Sequence, residues 1–145
     1  MQFMNILVQA KKIKTTADGA LVTTPEMIKG TFTPSSPVQI DMTGRFFSSL
    51  ALKGAGAMHM EYFRSVNSPD PVNQDAIDAA IAAGTAIPAM DLSNVEWKYV
   101  GEEFIEHAPF HFVRQDIVGA INRSRYVQIN LVRGGPLQEV YPYGT

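Results

Sequence analysis

Residues Phe46 to Arg64, FFSSLALKGAGAMHMEYFR, decide the fold, because two runs of alternating apolar and polar residues flank the short link Lys53-Gly54-Ala55-Gly56. The apolar positions that share a face are Phe46, Leu50 and Leu52 in the first run and Met58, Met60 and Tyr62 in the second. Alternation with a period of two is typical of a strand with one buried face. The stretch therefore predicts a β-hairpin, with the glycine link as its turn.

Similar runs recur along the whole chain. The strand candidates bounded by turn residues are Ile6–Gln9, Ala20–Thr24, Val38–Met42, Phe46–Leu52, Ala57–Arg64, Val95–Val100, Phe110–Gln115 and Tyr126–Val132. In the last, Val127, Ile129 and Leu131 alternate against Tyr126, Gln128 and Asn130. Trp97, the single tryptophan, is expected to anchor the core. The pattern predicts an all-β protein, a single antiparallel β-sandwich of jelly-roll or immunoglobulin-like topology.

One segment, from Asp70 to Gly84, breaks the β pattern. Asp70 suits a helix cap, Pro71 suits the first helical position and Gly84 suits the residue that ends a helix. The apolar residues at helical spacing are Val72, Ala76, Ile77, Ala80 and Ile81. This segment predicts a short amphipathic helix over residues 71–83, inserted between strands, and the alternative is an alanine-rich loop.

Both ends of the chain differ from the middle. We expect an N-terminal arm with a first strand over residues 1–19, a sandwich domain over 20–133 and a C-terminal arm over 134–145. Apolar side chains on an extended arm cannot be buried by the arm itself, so they are expected to dock on the sandwich or on a neighbouring chain. The candidate partner-contact residues are Phe3, Ile6, Val8, Leu137, Val140, Tyr141 and Tyr143.

Composition narrows the class of function. The chain has 145 residues and no cysteine, so disulfides and thiolate chemistry are not expected. Its formal net charge of −2 lacks the overall positive charge that is typical of a nucleic-acid-binding protein. A locally basic stretch, whose arginines are Arg114, Arg123, Arg125 and Arg133, leaves a phosphate- or carboxylate-binding edge as an alternative. No apolar run is long enough for a membrane span, and the N-terminal charges follow the apolar run, so a soluble, non-secreted chain is expected.

Few residues suggest chemistry. Gly54-x-Gly56 is followed by a strand pattern instead of a helix, so it lacks the helix N-terminus that binds a pyrophosphate. In Gly101–His111, Pro109 argues against a helix that would bring His107 and His111 together, so a solvated acidic loop is predicted and a metal site is the alternative.

Two single-residue placements follow from strand alternation. Glu102 and Glu103 are adjacent in sequence, and adjacent residues point to opposite faces wherever the chain is a strand, so this pair is poor evidence for two acids in one cleft; His59 is expected to be a surface or cross-strand partner. Neither arrangement forms a nucleophile–base pair. We therefore predict no catalytic residues, no cofactor and no metal.

Two segments resemble small β-sandwich virion proteins of tailed bacteriophages. These segments are Asp41–Asn67, with its Gly-x-Gly hairpin pattern, and Arg125–Gly135, a closing strand that ends in glycines. Where related sequences have a tight polar turn, this chain continues through Asn67-Ser68-Pro69-Asp70-Pro71 into the expected helix.

The resemblance implies a non-enzymatic virion structural protein of the capsid decoration or cement type, assembled in the host cytoplasm. Its implied partners are the major capsid protein or another virion protein and further copies of itself, with no nucleic acid and no membrane. The alternative is a tail, baseplate, carbohydrate- or receptor-binding module. A glycan binder usually presents two or three planar rings on one face, whereas here Trp97 and most phenylalanines are expected in the core.

Overall fold

The computed structural model describes residues 14–15, 21–22, 28–107 and 109–144. The strands within them are β1 (Lys14–Thr15), β2 (Leu21–Val22), β3 (Ile28–Phe32), β4 (Val38–Asp41), β5 (Phe47–Gly54), β6 (Met58–Ser65), β7 (Trp97–Ile105), β8 (His111–Phe112), β9 (Tyr126–Gly134) and β10 (Leu137–Gly144). The helices are α1 (Gln74–Ala83), between β6 and β7, and α2 (Gln115–Ile121), between β8 and β9.

Two four-stranded antiparallel sheets pack together as a sandwich. The first sheet has the order β3-β10-β5-β8 and the second has the order β4-β9-β6-β7, while β1 and β2 form a separate pair. The core contains Phe32, Leu52 and Val140 from the first sheet, Ile40, Met60 and Ile129 from the second, and Ile117, Val118 and Ile121 from α2. The prediction of an all-β sandwich with an inserted helix is confirmed.

The predicted hairpin is wrong, because β5 and β6 belong to different sheets. β5 pairs with β10 and β8, whereas β6 pairs with β7 and β9. Alternation identifies the residues that face a core, but it does not identify the neighbouring strand. Two consecutive strands that face the same core from opposite sheets therefore give the same pattern as a hairpin.

The link between β5 and β6 crosses the sandwich beside the link between β9 and β10. We call these segments, residues 54–57 and 134–136, the paired links. The Ala55 N–H donates to the Pro136 carbonyl at 3.0 Å, and the Gly135 N–H donates to the Ala57 carbonyl at 2.9 Å. Gly134 has a φ of 85°, and a Cβ there would lie 2.1 Å from the Ala57 oxygen. Only glycine fits this crossing without a backbone shift.

The segment 134–145 was expected to be an arm, but its residues Leu137–Gly144 form the internal strand β10 instead. β10 lies between β3 and β5, and both Leu137 and Val140 are fully buried in the core. The pairing shifts register between Leu137 and Glu139, which breaks the period-two pattern. Glycine and proline are uncommon inside strands, so their presence at this end also made the sequence look like an extended tail.

The N-terminal expectations lie mostly outside the described residues. This applies to Phe3, Ile6, Val8 and the strand candidate Ile6–Gln9. Of the candidate Ala20–Thr24, only Leu21–Val22 is described, as β2.

A register shift inside β5 changes which phenylalanine enters the core. Tyr143 pairs with Ser49 but Gly144 pairs with Phe47, so Ser48 is skipped in the ladder. Beyond this shift the side chains change face. Phe47 is consequently buried with Leu50 and Leu52, and Phe46, expected in the core, is 59% exposed.

The inserted helix covers part of the outer face of the second sheet. It begins at Gln74, later than predicted, and ends at Gly84 with a φ of 70°. The Asn73 side chain does not cap the helix, because it bonds to the Ala89 carbonyl and the Asp91 N–H instead. The cluster beneath it contains Ile77, Met90, Leu92, Val95 and Tyr126. Tyr126, expected on the solvent-facing side of its strand, is therefore buried. Trp97, expected in the main core, packs against this cluster instead.

Candidate functional site

Four aromatic side chains, Phe110, Phe112, Tyr141 and Tyr143, lie together on the outer face of the first sheet; we call them the aromatic surface. Ring centroids are 5.1 Å apart for Phe110 and Phe112, 5.2 Å for Phe110 and Tyr141, and 6.2 Å for Phe112 and Tyr143. The exposed fractions are 44% for Phe110, 55% for Phe112 and 41% for Tyr143. This is a contiguous apolar area that the sandwich itself leaves open to solvent.

Strand order and register create the aromatic surface. Ala51 on β5 pairs with Phe112 of β8 on one side and with Tyr141 of β10 on the other. Residues directly opposite each other on neighbouring strands share a face. The small Ala51 side chain thus forms a floor between larger rings, which explains why it is fully buried although it faces outward.

The aromatic surface changes the account of the contact residues. Tyr141 and Tyr143, expected as partner contacts, belong to it, whereas Leu137 and Val140 face the core and expose no surface. The expectation that the phenylalanines lie mostly in the core is wrong for Phe110 and Phe112. Their exposure could not be predicted from alternation, because β8 has only two residues and Phe110 lies before it.

A second group of side chains lies on the outer face of the second sheet. His59, Glu61 and Glu102, the outer triad, each offer one ligand atom, and these atoms all lie within 4.8 Å of one another. His59 Nε2 is 2.7 Å from Glu102 Oε1, which confirms His59 as a cross-strand partner. Its ring stacks on Phe104 with centroids 4.1 Å apart. The three side chains are close enough to contact the same bound ion.

A shallow depression of about 280 Å³ lies beside His59. Its lining residues are Ala57, Met58, His59, Phe104, Ile105, Glu106, Arg133 and Gly134. It therefore borders both the outer triad and the paired links.

Residues 101–105, expected to belong to a solvated acidic loop, are the last part of β7 instead, and Glu103 lies on the opposite side of this strand from Glu102, inside the sandwich. The Tyr62 hydroxyl donates to Glu103 Oε1 at 2.8 Å, and the Arg114 N–H donates to Oε2 at 3.2 Å. His111 Nε2 is 3.2 Å from Oε1. Burial, with the nearby Glu103 carboxylate, raises the pKa of Tyr62 well above its usual range. Glu103 on β7 of the second sheet is thus joined to His111 on β8 of the first sheet and to the start of α2 at Arg114.

The histidines and arginines singled out from the sequence are spread over several sites. His107 is exposed and His111 contacts Glu103, and the group of described residues that could hold a metal includes neither. Arg114 pairs with Asp116 at 3.1 Å and Arg125 with Asp70 at 3.0 Å.

The other two arginines do not complete a basic edge. Arg123 is exposed, and Arg133 borders the depression on the second sheet. Two of the four basic groups are thus already paired with carboxylates, which weakens the alternative of a phosphate-binding edge.

Comparison of the chain with protein-family models, with curated proteins and with solved structures found no match. Among the described residues, neither helix has the length and apolar character needed to cross a membrane. Inference about function therefore depends on the surfaces described above.

Proposed function

We propose that this chain is a non-enzymatic structural protein of a tailed-bacteriophage virion, of the capsid decoration or cement type. Its aromatic surface binds a capsid protein, and its sandwich acts as the rigid support. The single observation that carries the proposal is the exposure of Phe110, Phe112 and Tyr143 on one face of a sheet. Aromatic residues are enriched at the cores of protein interfaces, where they supply large contact areas.

The geometry of the rings supports a protein partner. Phe110 and Phe112 meet at 87° and Phe110 and Tyr141 at 60°, so the rings present edges and gaps instead of one flat platform. The side chains of a partner protein can fit into the gaps of such an uneven surface. The nearby ion pair between Lys53 and Glu139, with nitrogen and oxygen 4.0 Å apart, supplies a polar border of the kind that surrounds interface cores.

A carbohydrate- or receptor-binding module is the second candidate, because several exposed rings on one face also suit a sugar. A sugar stacks on the flat face of a ring, and the 33° angle between Phe112 and Tyr143 is the nearest to parallel here. Glycan binding by the purified chain, lost on substitution of Phe112 or Tyr143, would support this candidate over the first.

The experiment is reconstitution of phage particles that lack the chain. Wild-type protein, a Phe112→Ser variant and a Tyr143→Ser variant would be mixed with the particles, and binding measured by co-sedimentation and electron microscopy. Phe46→Ser is the matched control, because Phe46 is 59% exposed and makes no ring contact with the aromatic surface among the described residues. Loss of binding in the first two variants alone is expected; no binding of wild-type protein would refute the proposal.

The N-terminal contacts and self-association remain part of the proposal. Phe3, Ile6 and Val8 are proposed to contact a neighbouring subunit, as apolar residues on an arm would. A truncation before Ala20 should reduce assembly on the particle, measured by the same co-sedimentation. Normal assembly of the truncated chain would contradict the proposed role of the arm.

A further inference from the structure

The geometry of the outer triad points to a binding site for one divalent transition-metal ion. His59 supplies an imidazole nitrogen, and Glu61 and Glu102 supply one carboxylate oxygen each, all within 4.8 Å of one another. Ligands of one tetrahedral Zn²⁺ ion lie about 2.0–2.2 Å from it, hence about 3.3–3.6 Å apart. The His59 and Glu102 atoms, now 2.7 Å apart, must separate slightly, and Glu61 must approach by up to about 1.5 Å. Rotation of the two carboxylate side chains supplies such movements, since Glu102 is 42% exposed and Glu61 is half-buried.

Strand register brings two like charges together at this point. Glu61 of β6 lies directly opposite Glu102 of β7. Carboxylates in such a position repel each other and destabilise the pair. Within the described part of the chain, no lysine or arginine forms an ion pair with either of them. A divalent cation between the two carboxylates would convert the repulsion into attraction.

The histidine is held in a fixed orientation before any ion binds. Phe104 lies opposite His59 in the β6–β7 register, and the two rings are stacked with an angle of 20° between their planes. The His59 side chain is only 12% exposed, and its Nε2 faces Glu102. Little side-chain freedom is therefore lost when the nitrogen binds an ion.

The donor set selects the kind of ion. Imidazole nitrogen suits Zn²⁺, Ni²⁺ and Cu²⁺, whereas Ca²⁺ and Mg²⁺ prefer all-oxygen sites. A nitrogen with two carboxylates therefore favours the transition metals. The outer triad is on the second sheet and the aromatic surface is on the first, so this inference is independent of the proposed function.

Isothermal titration of the full chain with Zn²⁺, in a non-chelating buffer at neutral pH, tests the site. We expect one ion per chain and a smaller response to Mg²⁺. His59→Ala should weaken Zn²⁺ binding by more than the about 10-fold that loss of an outer-shell partner typically causes. His107→Ala is the matched control, since His107 is exposed and outside the triad. Equal Zn²⁺ binding by both variants, or none by the wild-type chain, would overturn the inference.

The stability of a Glu61→Gln variant, measured with and without Zn²⁺, distinguishes a metal ligand from a residue that only supports the fold. It removes the repulsion between carboxylates, so the urea midpoint of the metal-free protein should rise. The increase in midpoint that Zn²⁺ causes in the wild-type chain should disappear in this variant. A lower metal-free midpoint together with an unchanged Zn²⁺ effect would contradict the site. Circular dichroism of each variant establishes that it is folded.

Discussion

Substitution of Gly134 by alanine tests the crossing of the paired links. At a φ of 85° a non-glycine residue costs about 1–2 kcal/mol of backbone strain. Its Cβ would lie 2.1 Å from the Ala57 oxygen, where real contacts essentially never fall below 3.0 Å, so the links must move apart by about 1 Å. That movement stretches the hydrogen bond from Gly135 to Ala57, worth about 0.5–1.5 kcal/mol. We expect the free energy of unfolding to fall by about 1.5–3.5 kcal/mol.

Urea unfolding, followed by circular dichroism and by the fluorescence of Trp97, measures this change. Gly56→Ala is the matched control, because Gly56 lies in the other link and a Cβ there would have no atom within 4 Å. It should change the free energy of unfolding by less than about 1 kcal/mol. A hairpin at Gly54–Gly56 would place the glycine requirement in that link instead. Equal effects of the two substitutions, or a larger effect at Gly56, would refute the crossing.

Three further predictions concern the buried network and the aromatic surface. Because burial raises the pKa of Tyr62, its protonated form stabilises the folded state up to pH about 10, and this contribution is lost as the pH rises further. Above pH about 10, the free energy of unfolding measured with urea should fall with pH less steeply in Tyr62→Phe than in wild type, by about 1.4 kcal/mol per pH unit, and identical slopes would contradict the burial argument. Glu103→Ala leaves the buried Tyr62 hydroxyl without its hydrogen-bond acceptor. This substitution should lower the free energy of unfolding by about 1–3 kcal/mol more than the control Glu106→Ala, which changes an exposed residue. Equal urea midpoints of the two variants would contradict the buried network. Phe112→Ser should lower the free energy of unfolding by no more than about 2 kcal/mol, because 55% of the ring is exposed and only its contacts with Phe110 and Tyr143 are lost; a larger loss would show that the ring is part of the stabilising core.

The sequence predicted which face of a strand is buried better than it predicted which strands pair with each other. From Met58 to Tyr62, β6 follows a strict period of two, so Met58, Met60 and Tyr62 were correctly assigned to the core. The same pattern could not reveal that β6 pairs with β7 and β9 instead of β5, because side-chain alternation is the same in either arrangement. Strand partners depend on packing between residues far apart in sequence.

Elements with a broken period were missed. α2 has seven residues with Gly119 among them, too short to show a helical pattern, and β10 carries a register shift after Leu137 and a proline at position 142. β3 pairs only with residues 137–140 of β10, so Pro142 lies where β5 is the one described neighbour of this strand. A proline that would disrupt a fully paired strand is tolerated there.

The two candidate surfaces required knowledge of strand register. Glu61 and Glu102 are opposite each other only because β6 pairs with β7, and Phe112 reaches Tyr141 only because β8 and β10 flank β5. Nothing in the local sequence around Glu61 distinguishes it from an ordinary solvated residue. His59, in contrast, was recognisable as a cross-strand partner from its alternation with Met58 and Met60.

Location of the chain on the virion tests the central proposal most directly. Cryo-electron microscopy of phage particles carrying the wild-type chain should show the sandwich on the shell, with the sheet β3-β10-β5-β8 and its ring residues Phe112 and Tyr143 against the capsid. Particles prepared with Phe112→Ser protein should lack this density, while Phe46→Ser protein should retain it. Absence of the chain from the shell, or a shell-bound sandwich whose aromatic surface faces solvent, would contradict the proposal.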